Sequence, residues 1–183
     1  MDKAARMDWD NLHSQDGDAR YRAFMRLLET TKQQVGWAYE VWDELIANLS
    51  HKDNHQRAIA AQLLSNLAKS DPEQRMLKDF SALLAVTRDD RFVTARHCLQ
   101  SLWKIGTVGK KHQKMVVGGL ATRFADCSAE KNCTLIRYDI IQGLRKLYGA
   151  IGDEKVREKA LELIGTEQDL KYRKKYAGLW KTK

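Results

Sequence analysis

Residues 57–68 read RAIAAQLLSNLA, and the apolar side chains of this stretch recur every three or four positions. Ala60, Ala61, Leu64 and Leu67 then lie on one face of an α-helix. The same apolar stripe returns along the chain at intervals of about 36–42 residues, which indicates a repeated helix. Its other members are Ala23, Phe24 and Leu27, then Cys98, Leu99, Leu102 and Ile105, then Ile140, Ile141, Leu144 and Leu147, then Tyr176, Ala177 and Trp180.

A second set of helices lies between these stripes. Their apolar positions are Val41, Leu45 and Leu49, then Met76, Phe80 and Leu84, then Val116, Leu120 and Phe124. The chain has one proline and no segment of alternating polarity, so we predict helices throughout, as hairpins. The predicted helices lie near 18–35, 37–49, 54–69, 72–86, 92–106, 110–126, 133–149, 153–165 and 169–181, with a short one near 3–12.

Two further predictions concern boundaries. The chain divides into an N-terminal segment at 1–17 and one repeat domain at 18–183. Asp71 is predicted to cap a helix that has Pro72 at its first position, since proline suits the first turn of a helix.

An acidic residue precedes an arginine by four positions at the start of three stripe-bearing helices. The pairs are Asp16 with Arg20, Asp53 with Arg57, and Asp169 with Arg173. One interpretation is an exposed ion pair within each helix, worth about 0.3–0.5 kcal/mol. The other is a ladder of ion pairs that links neighbouring hairpins.

Paired helices at this spacing, with aspartate, then arginine, then small and aliphatic residues in the second helix, resemble HEAT or HEAT-like repeats of the armadillo superfamily. The best matches are DNHQRAIAAQLLSNLA at 53–68 and DRFVTARHCLQSLWKIG at 90–106. The resemblance implies an all-α superhelix, or solenoid, of four to five helical hairpins. Such a solenoid buries a continuous apolar seam and offers one extended curved face to a partner.

The composition agrees with a folded protein. The chain has 183 residues, 43% of them hydrophobic, and a net charge of +8. Its longest apolar run, MVVGGLA at 115–121, is far shorter than the 18–20 residues that span a bilayer, and MDKAARMDWDN at the start lacks the apolar stretch of a signal peptide. We therefore expect a cytoplasmic protein with no membrane contact, in which Cys98, Cys127 and Cys133 are free thiols.

The sequence contains none of the common catalytic or metal-binding motifs that we sought. GxxxxGK[ST], HExxH, GxSxG and CxxC do not occur in the sequence. GTVGKKH at 106–112 and HKDNH at 51–55 are both better explained as turns between helices than as a phosphate loop or a metal site. We predict no catalytic residue, no cofactor and no metal site, and activity as an enzyme is left open.

Tryptophan is abundant, and Trp42 stands beside Asp43. HEAT-like bacterial alkylpurine DNA glycosylases use tryptophan side chains and an aspartate on their concave face. Here the two residues are adjacent rather than spaced along one helix face, and packing of aromatic rings between hairpins explains the tryptophans better. The resemblance to this family is therefore not extended to its activity.

Charge is distributed unevenly. Residues 1–72 have nine Lys and Arg against eleven Asp and Glu, whereas residues 73–183 have 23 against 13. Cations on adjacent helices can follow a phosphate backbone, with binding that weakens as salt rises. The candidates for phosphate binding are Lys110, Lys111, Lys114, Arg173 and Lys174, and Arg123 lies on the same predicted helix as the first three.

Two functions remain. The first is a non-catalytic scaffold that binds a protein partner through the curved face formed by the second helices of the hairpins. The residues predicted to bind the partner are Arg96, Gln100, Lys104, Arg137, Gln142, Arg145 and Lys146. The alternative is a nucleic-acid-binding protein, or a DNA-repair enzyme like the glycosylases, that uses the basic C-terminal half. Steep salt dependence would favour the alternative.

Overall fold

The computed structural model describes residues 1–181 and contains ten α-helices within that range. No strand occurs among these residues. Four helices continue into a short 3-10 segment, at Ala68–Ser70, Val86–Arg88, Leu102–Thr107 and Cys127–Ala129. The helices are α1 Lys3–Asn11, α2 Gly17–Thr30, α3 Ala38–Asn48, α4 Asn54–Leu67, α5 Arg75–Ala85, α6 Phe92–Ser101, α7 Lys110–Asp126, α8 Cys133–Ile151, α9 Glu154–Thr166 and α10 Leu170–Gly178.

These helices form five consecutive hairpins, each an odd-numbered helix followed by an even-numbered one. The even helices pack side by side in chain order, from α2 through α4, α6 and α8 to α10. The odd helices α3, α5, α7 and α9 do the same in a second layer. This two-layer stack of helical hairpins is an all-α solenoid, as the sequence predicts.

The core lies between the two layers and runs the length of the stack. It extends without a break from Ala5 on α1 to Tyr176 on α10. The predicted stripes are confirmed, because Ala60, Leu64 and Leu99 are completely buried, as are the other members in α4, α6 and α8. At the edges of the stripes, Phe24, Leu84, Ala177 and Trp180 are only partly buried.

The start of α5 differs from the prediction. The helix begins at Arg75 rather than Pro72, and Gln74 has a left-handed φ of 57°. Asp71 still caps the helix, although it lies four residues before the first helical residue. Its carboxylate accepts the backbone N–H groups of Arg75 at 3.0 Å and Met76 at 2.8 Å. Residues 71–74 form a turn, in which the Gln74 amide donates to the Asp71 carbonyl. Pro72 therefore lies in this turn rather than in the helix.

Replacing Asp71 with alanine is expected to lower the free energy of unfolding by about 1–2 kcal/mol, because two amides of α5 lose their acceptor. The Asp71 carboxylate also accepts the Tyr39 hydroxyl at 2.5 Å, and burial together with this bond raises the pKa of Tyr39. We expect the variant to lower that pKa, which ultraviolet titration would detect. Asp16→Ala is the control in urea unfolding, since Asp16 caps one amide at an exposed site. An equal or larger loss from Asp16→Ala would contradict the prediction.

The arginines at the start of the even helices do not pair with the acids four residues earlier. Asp53 accepts the amide of His55 as a helix cap, whereas Arg57 donates to the carbonyls of His51 and Lys52. Arg57 also binds Asp89 in the next hairpin, with Nε 2.5 Å from Oδ2. The interpretation as a pair within the helix is therefore wrong, and a link between hairpins is present with a different acid.

Candidate partner-binding face

The outer surface of the even helices, called the even-helix face below, has an apolar groove at its N-terminal end. The groove lies across α2, α4 and α6 and encloses about 640 Å³. Its most exposed apolar side chains are Tyr21, Met25 and Val93, at 63%, 45% and 65% exposure. Tyr21, Met25 and Leu28 have the spacing of one helical face of α2, opposite the buried Ala23 and Leu27 in the core. The groove can therefore take up apolar side chains of a ligand.

Polar groups also line the groove. The Thr94 hydroxyl donates to the Asn54 carbonyl at 3.3 Å, and the Gln62 amide donates to the Ala58 carbonyl at 3.1 Å. His97 lies at the rim, where burial and the neighbouring Arg96 lower its pKa. An uncharged imidazole at neutral pH can both donate and accept a hydrogen bond.

Three of the residues predicted to bind a partner are held by carboxylates of the protein. Asp139, whose side chain is completely buried, accepts Arg96 Nε at 2.7 Å, Arg96 Nη2 at 3.0 Å and Gln100 Nε2 at 3.1 Å. Arg137 donates to Glu167 Oε2 at 2.9 Å and to the Phe124 carbonyl at 3.1 Å. These groups tie α6 to α8 and α8 to the loop before α10.

The other four predicted residues lie further along the same face. Gln142 is half-buried and makes no side-chain hydrogen bond with residues 1–181. The Arg145 guanidinium lies over two rings, 5.6 Å from the centroid of Tyr148 and 5.5 Å from that of Trp180. Lys146 is exposed, and Lys104 Nζ donates to Asn66 Oδ1 at 2.7 Å.

A row of lysines at the carboxyl ends of the even helices was missed by the sequence analysis. We call Lys32, Lys69, Lys104 and Lys146 the lysine row. Burial lowers the pKa of Lys104, and the charges of the other three lysines lower it further. The sequence carries a signal for three of these four lysines, because Leu-x-Lys recurs at 67–69, 102–104 and 144–146, and again at 179–181; Lys32 lies outside this pattern. The exposed apolar residues of the groove were also not predicted, since helical periodicity identifies the buried stripes and not the apolar side chains outside them.

The five candidates for phosphate binding do not come together in the structure. Lys110, Lys111 and Lys114 lie on α7 in the odd layer, whereas Arg173 and Lys174 lie on α10 in the even layer. Lys110 is neutralised by Asp153, whose pKa is lowered by hydrogen bonds from Lys110 and Gln113.

Two other basic residues of the C-terminal half are Arg123 and Lys183. Arg123 is not a surface cation, because it is buried and donates to the Thr87 carbonyl and the Glu130 carboxylate. Lys183, a further basic residue of the sequence, lies outside the described residues.

Trp42 and Asp43 do not form a surface site. The Trp42 ring is completely buried, and its Nε1 donates to Asp79 Oδ2 at 2.8 Å. Asp43 is exposed and pairs with Arg75. Among residues 1–181, no group of three or more His, Cys, Asp or Glu side chains is placed to hold a metal ion. Within the same range, no helix is both long enough and apolar enough to cross a membrane.

The hairpin stack and its repeated stripes define an all-α helical repeat protein, a solenoid of five hairpins within residues 1–181. No family model and no curated protein sequence matches the chain. Among solved structures, the chain is similar to the crystal structure of an engineered protein, with a TM-score of 0.54, 18% identity, and coverage of 98% of this chain and 79% of that one. At this identity the likeness supports the fold alone.

Two further structures resemble the chain over 98% of its length. A second engineered protein has a TM-score of 0.49, 16% identity and 95% of its own chain covered. A designed armadillo repeat protein in complex with the peptide (KR)4 has a TM-score of 0.48, 15% identity and 89% covered. Because both TM-scores fall below 0.5, neither likeness bears on function.

Proposed function

We propose that the protein is a non-catalytic scaffold that binds a segment of a partner protein along its even-helix face. The observation that carries this proposal is the open apolar groove across α2, α4 and α6. Tyr21 and Val93 are more than 60% exposed in it, although the chain buries a long continuous core elsewhere. Apolar side chains grouped in a groove on a protein surface are typical of interaction sites.

The groove can take an extended protein segment. It is lined by residues of α2, α4 and α6, so a segment that lies across these three helices would contact all of them. Apolar side chains of the segment would cover Tyr21, Met25 and Val93. Its backbone would face the polar side chains of Asn54 and Gln62 in the groove. An extended chain can bind to the surface of a helical repeat protein in this way, with its side chains on apolar residues and its backbone on hydrogen-bonding groups.

A library of displayed random peptides, selected on the purified protein, tests the proposal. We expect enriched peptides with apolar side chains, and we expect Val93→Gln to raise their dissociation constant about tenfold or more, since an apolar anchor would meet a polar group. Leu161→Gln is the matched control, because Leu161 is 44% exposed on α9 in the odd layer. Fluorescence anisotropy gives the constants, and circular dichroism confirms that both variants fold.

Two results would contradict the scaffold. One is a selection that enriches no peptide above background. The other is an equal loss of binding in Val93→Gln and Leu161→Gln, which would place the contact outside the groove. Both substitutions are neutral, so a change in net charge cannot account for either outcome.

The alternative, nucleic-acid binding through the basic C-terminal half, has weaker support. Its candidate cations are divided between α7 and α10, in different layers of the solenoid. A phosphate backbone would also leave the apolar groove uncovered. Salt-dependent binding of an oligonucleotide remains the measurement that would favour this function.

A further inference from the structure

Three members of the lysine row, Lys69, Lys104 and Lys146, stand in the pattern Leu-x-Lys, whereas the residue two positions before Lys32 is Thr30. In Leu-x-Lys the lysine comes two residues after a leucine, which is a turn of about 200° in an α-helix and about 240° in the 3-10 segments that hold Lys69 and Lys104. Leu67, Leu102 and Leu144 are buried in the core. The lysines that follow are therefore directed away from the core, toward the carboxyl ends of successive even helices; Lys104 and Lys146 have the same repeat position, and Lys69 lies one helical turn later. Lys181 has the same place in the sequence at the end of α10 and is exposed.

Contacts between hairpins hold the row in order. Lys69 Nζ donates to the Lys32 carbonyl at 2.6 Å. Lys104 Nζ donates to Asn66 Oδ1, and the Asn66 amide donates to the Leu28 carbonyl at 3.0 Å. Each of these bonds joins one hairpin to the one before it. An ammonium group has three N–H donors, so Lys69 and Lys104 keep donors for a ligand.

The positive charge of the row is poorly compensated within residues 1–181. Lys32 pairs with Glu29 at 2.5 Å, whereas Lys69, Lys104 and Lys146 have no ion-pair partner in that range. Every influence on the pKa of Lys104 lowers it, and no nearby carboxylate opposes the three like charges. Three like charges of the row that lack an ion-pair partner within residues 1–181 favour an anionic ligand.

We propose that the lysine row binds an extended acidic segment of a partner protein, with carboxylates at about every third residue. Adjacent packed helices are about 8–10 Å apart, and an extended chain advances about 3.3 Å per residue. One carboxylate in three residues therefore matches one lysine per hairpin. This inference rests on the proposed function, because it describes the chemistry of the segment that lies on the even-helix face.

The row fits a carboxylate chain better than a nucleic acid. A DNA strand carries a phosphate about every 3.4 Å, so one cation per hairpin would leave most phosphates unpaired. The aromatic rings near the row are also engaged, since Arg145 lies over both Tyr148 and Trp180. Bases would need such faces to be open for stacking.

The test uses a fluorescein-labelled peptide, (Glu-Ser-Gly)5, with (Gln-Ser-Gly)5 as the uncharged probe and a labelled oligothymidylate of 15 nucleotides. We expect the full chain to bind the Glu peptide in low salt and not the Gln peptide. Lys69→Gln with Lys146→Gln should raise the dissociation constant about tenfold. Lys111→Gln with Lys114→Gln removes the same charge from exposed positions on α7 and should leave binding unchanged.

Folding of the variants is checked by circular dichroism. Lys32→Gln with Lys146→Gln is the second variant, because both lysines are exposed and neither holds another hairpin through its ammonium group. This pair should weaken the Glu peptide to a similar extent. Val93→Gln should not weaken binding of the Glu peptide, since this probe carries no large apolar side chain. The scaffold proposal and the lysine-row proposal are therefore tested by different variants, and either can fail while the other holds.

Three outcomes would overturn the proposal. The first is the absence of saturable binding of the Glu peptide. The second is an equal loss in the variant of Lys111 and Lys114, which would show a response to net charge alone. The third is tighter binding of the oligothymidylate that depends on Lys69 and Lys146, which would assign the row to nucleic acid.

Discussion

Replacing Arg96 with methionine is expected to lower the free energy of unfolding by about 3–5 kcal/mol, because it leaves a buried carboxylate without its cation. The side chain of Asp139 is 0% exposed, whereas that of Arg96 is 36% exposed. Without the two guanidinium bonds, Asp139 keeps only the amide of Gln100 among the side chains that now bind it. Urea unfolding followed by circular dichroism measures the loss.

Two further variants make this prediction specific. Arg88→Met breaks the pair with Asp126, in which both side chains are about half exposed, and should lower the unfolding free energy by less than about 1 kcal/mol. Arg96→Met combined with Asp139→Asn removes the uncompensated charge and should recover part of the loss. A loss in Arg96→Met no larger than that in Arg88→Met would refute the structural role assigned to this pair.

The example of Arg96 also shows how far the sequence could predict the site. Periodicity predicts which side chains of α6 enter the core, and Leu99 and Leu102 are buried as expected. It identifies Arg96 and Gln100 only as polar residues beside the stripe. Their partner Asp139 lies about 40 residues further along the chain, and the packing of α6 on α8 brings it within reach. Whether a polar residue faces a ligand or a neighbouring helix depends on that packing.

The lysine row illustrates the opposite case. The Leu-x-Lys pattern of 102–104 and 144–146 also occurs at 67–69, so it could have identified Lys69 from the sequence, although not Lys32. Only Lys104 and Lys146 were selected, because the two earlier lysines lie outside the basic C-terminal half. A short pattern compared between repeats therefore locates these lysines better than the net charge of half of the chain does.

The start of α5 could not have been predicted from local preferences. Pro72 favours the first turn of a helix, and Asp71 favours the cap position before it. In the structure the Asp71 carboxylate is also bound by Tyr39 of the previous hairpin, and the helix starts at Arg75. The contact between hairpins therefore overrides the local preference.

Trp42→Ala is expected to lower the free energy of unfolding by about 3–5 kcal/mol, because it opens a large cavity between hairpins. The ring is 0% exposed and meets Tyr39 edge to face, with centroids 5.9 Å apart. Its Nε1 also loses the bond to Asp79. Trp42→Phe keeps most of the volume and should have a smaller effect, of about 1–2 kcal/mol, due mainly to the lost hydrogen bond.

The unfolding free energy of these two variants separates a structural role for Trp42 from a role at a DNA-binding surface. A tryptophan that contacts a damaged base has to be accessible, and substitutions at accessible positions change stability by only about 0.5 kcal/mol. A value that small for Trp42→Ala would contradict the packing described above and would restore the glycosylase hypothesis. A loss of several kcal/mol would mean that Trp42 stabilises the packing of the second hairpin on the third, through its buried ring and its bond to Asp79.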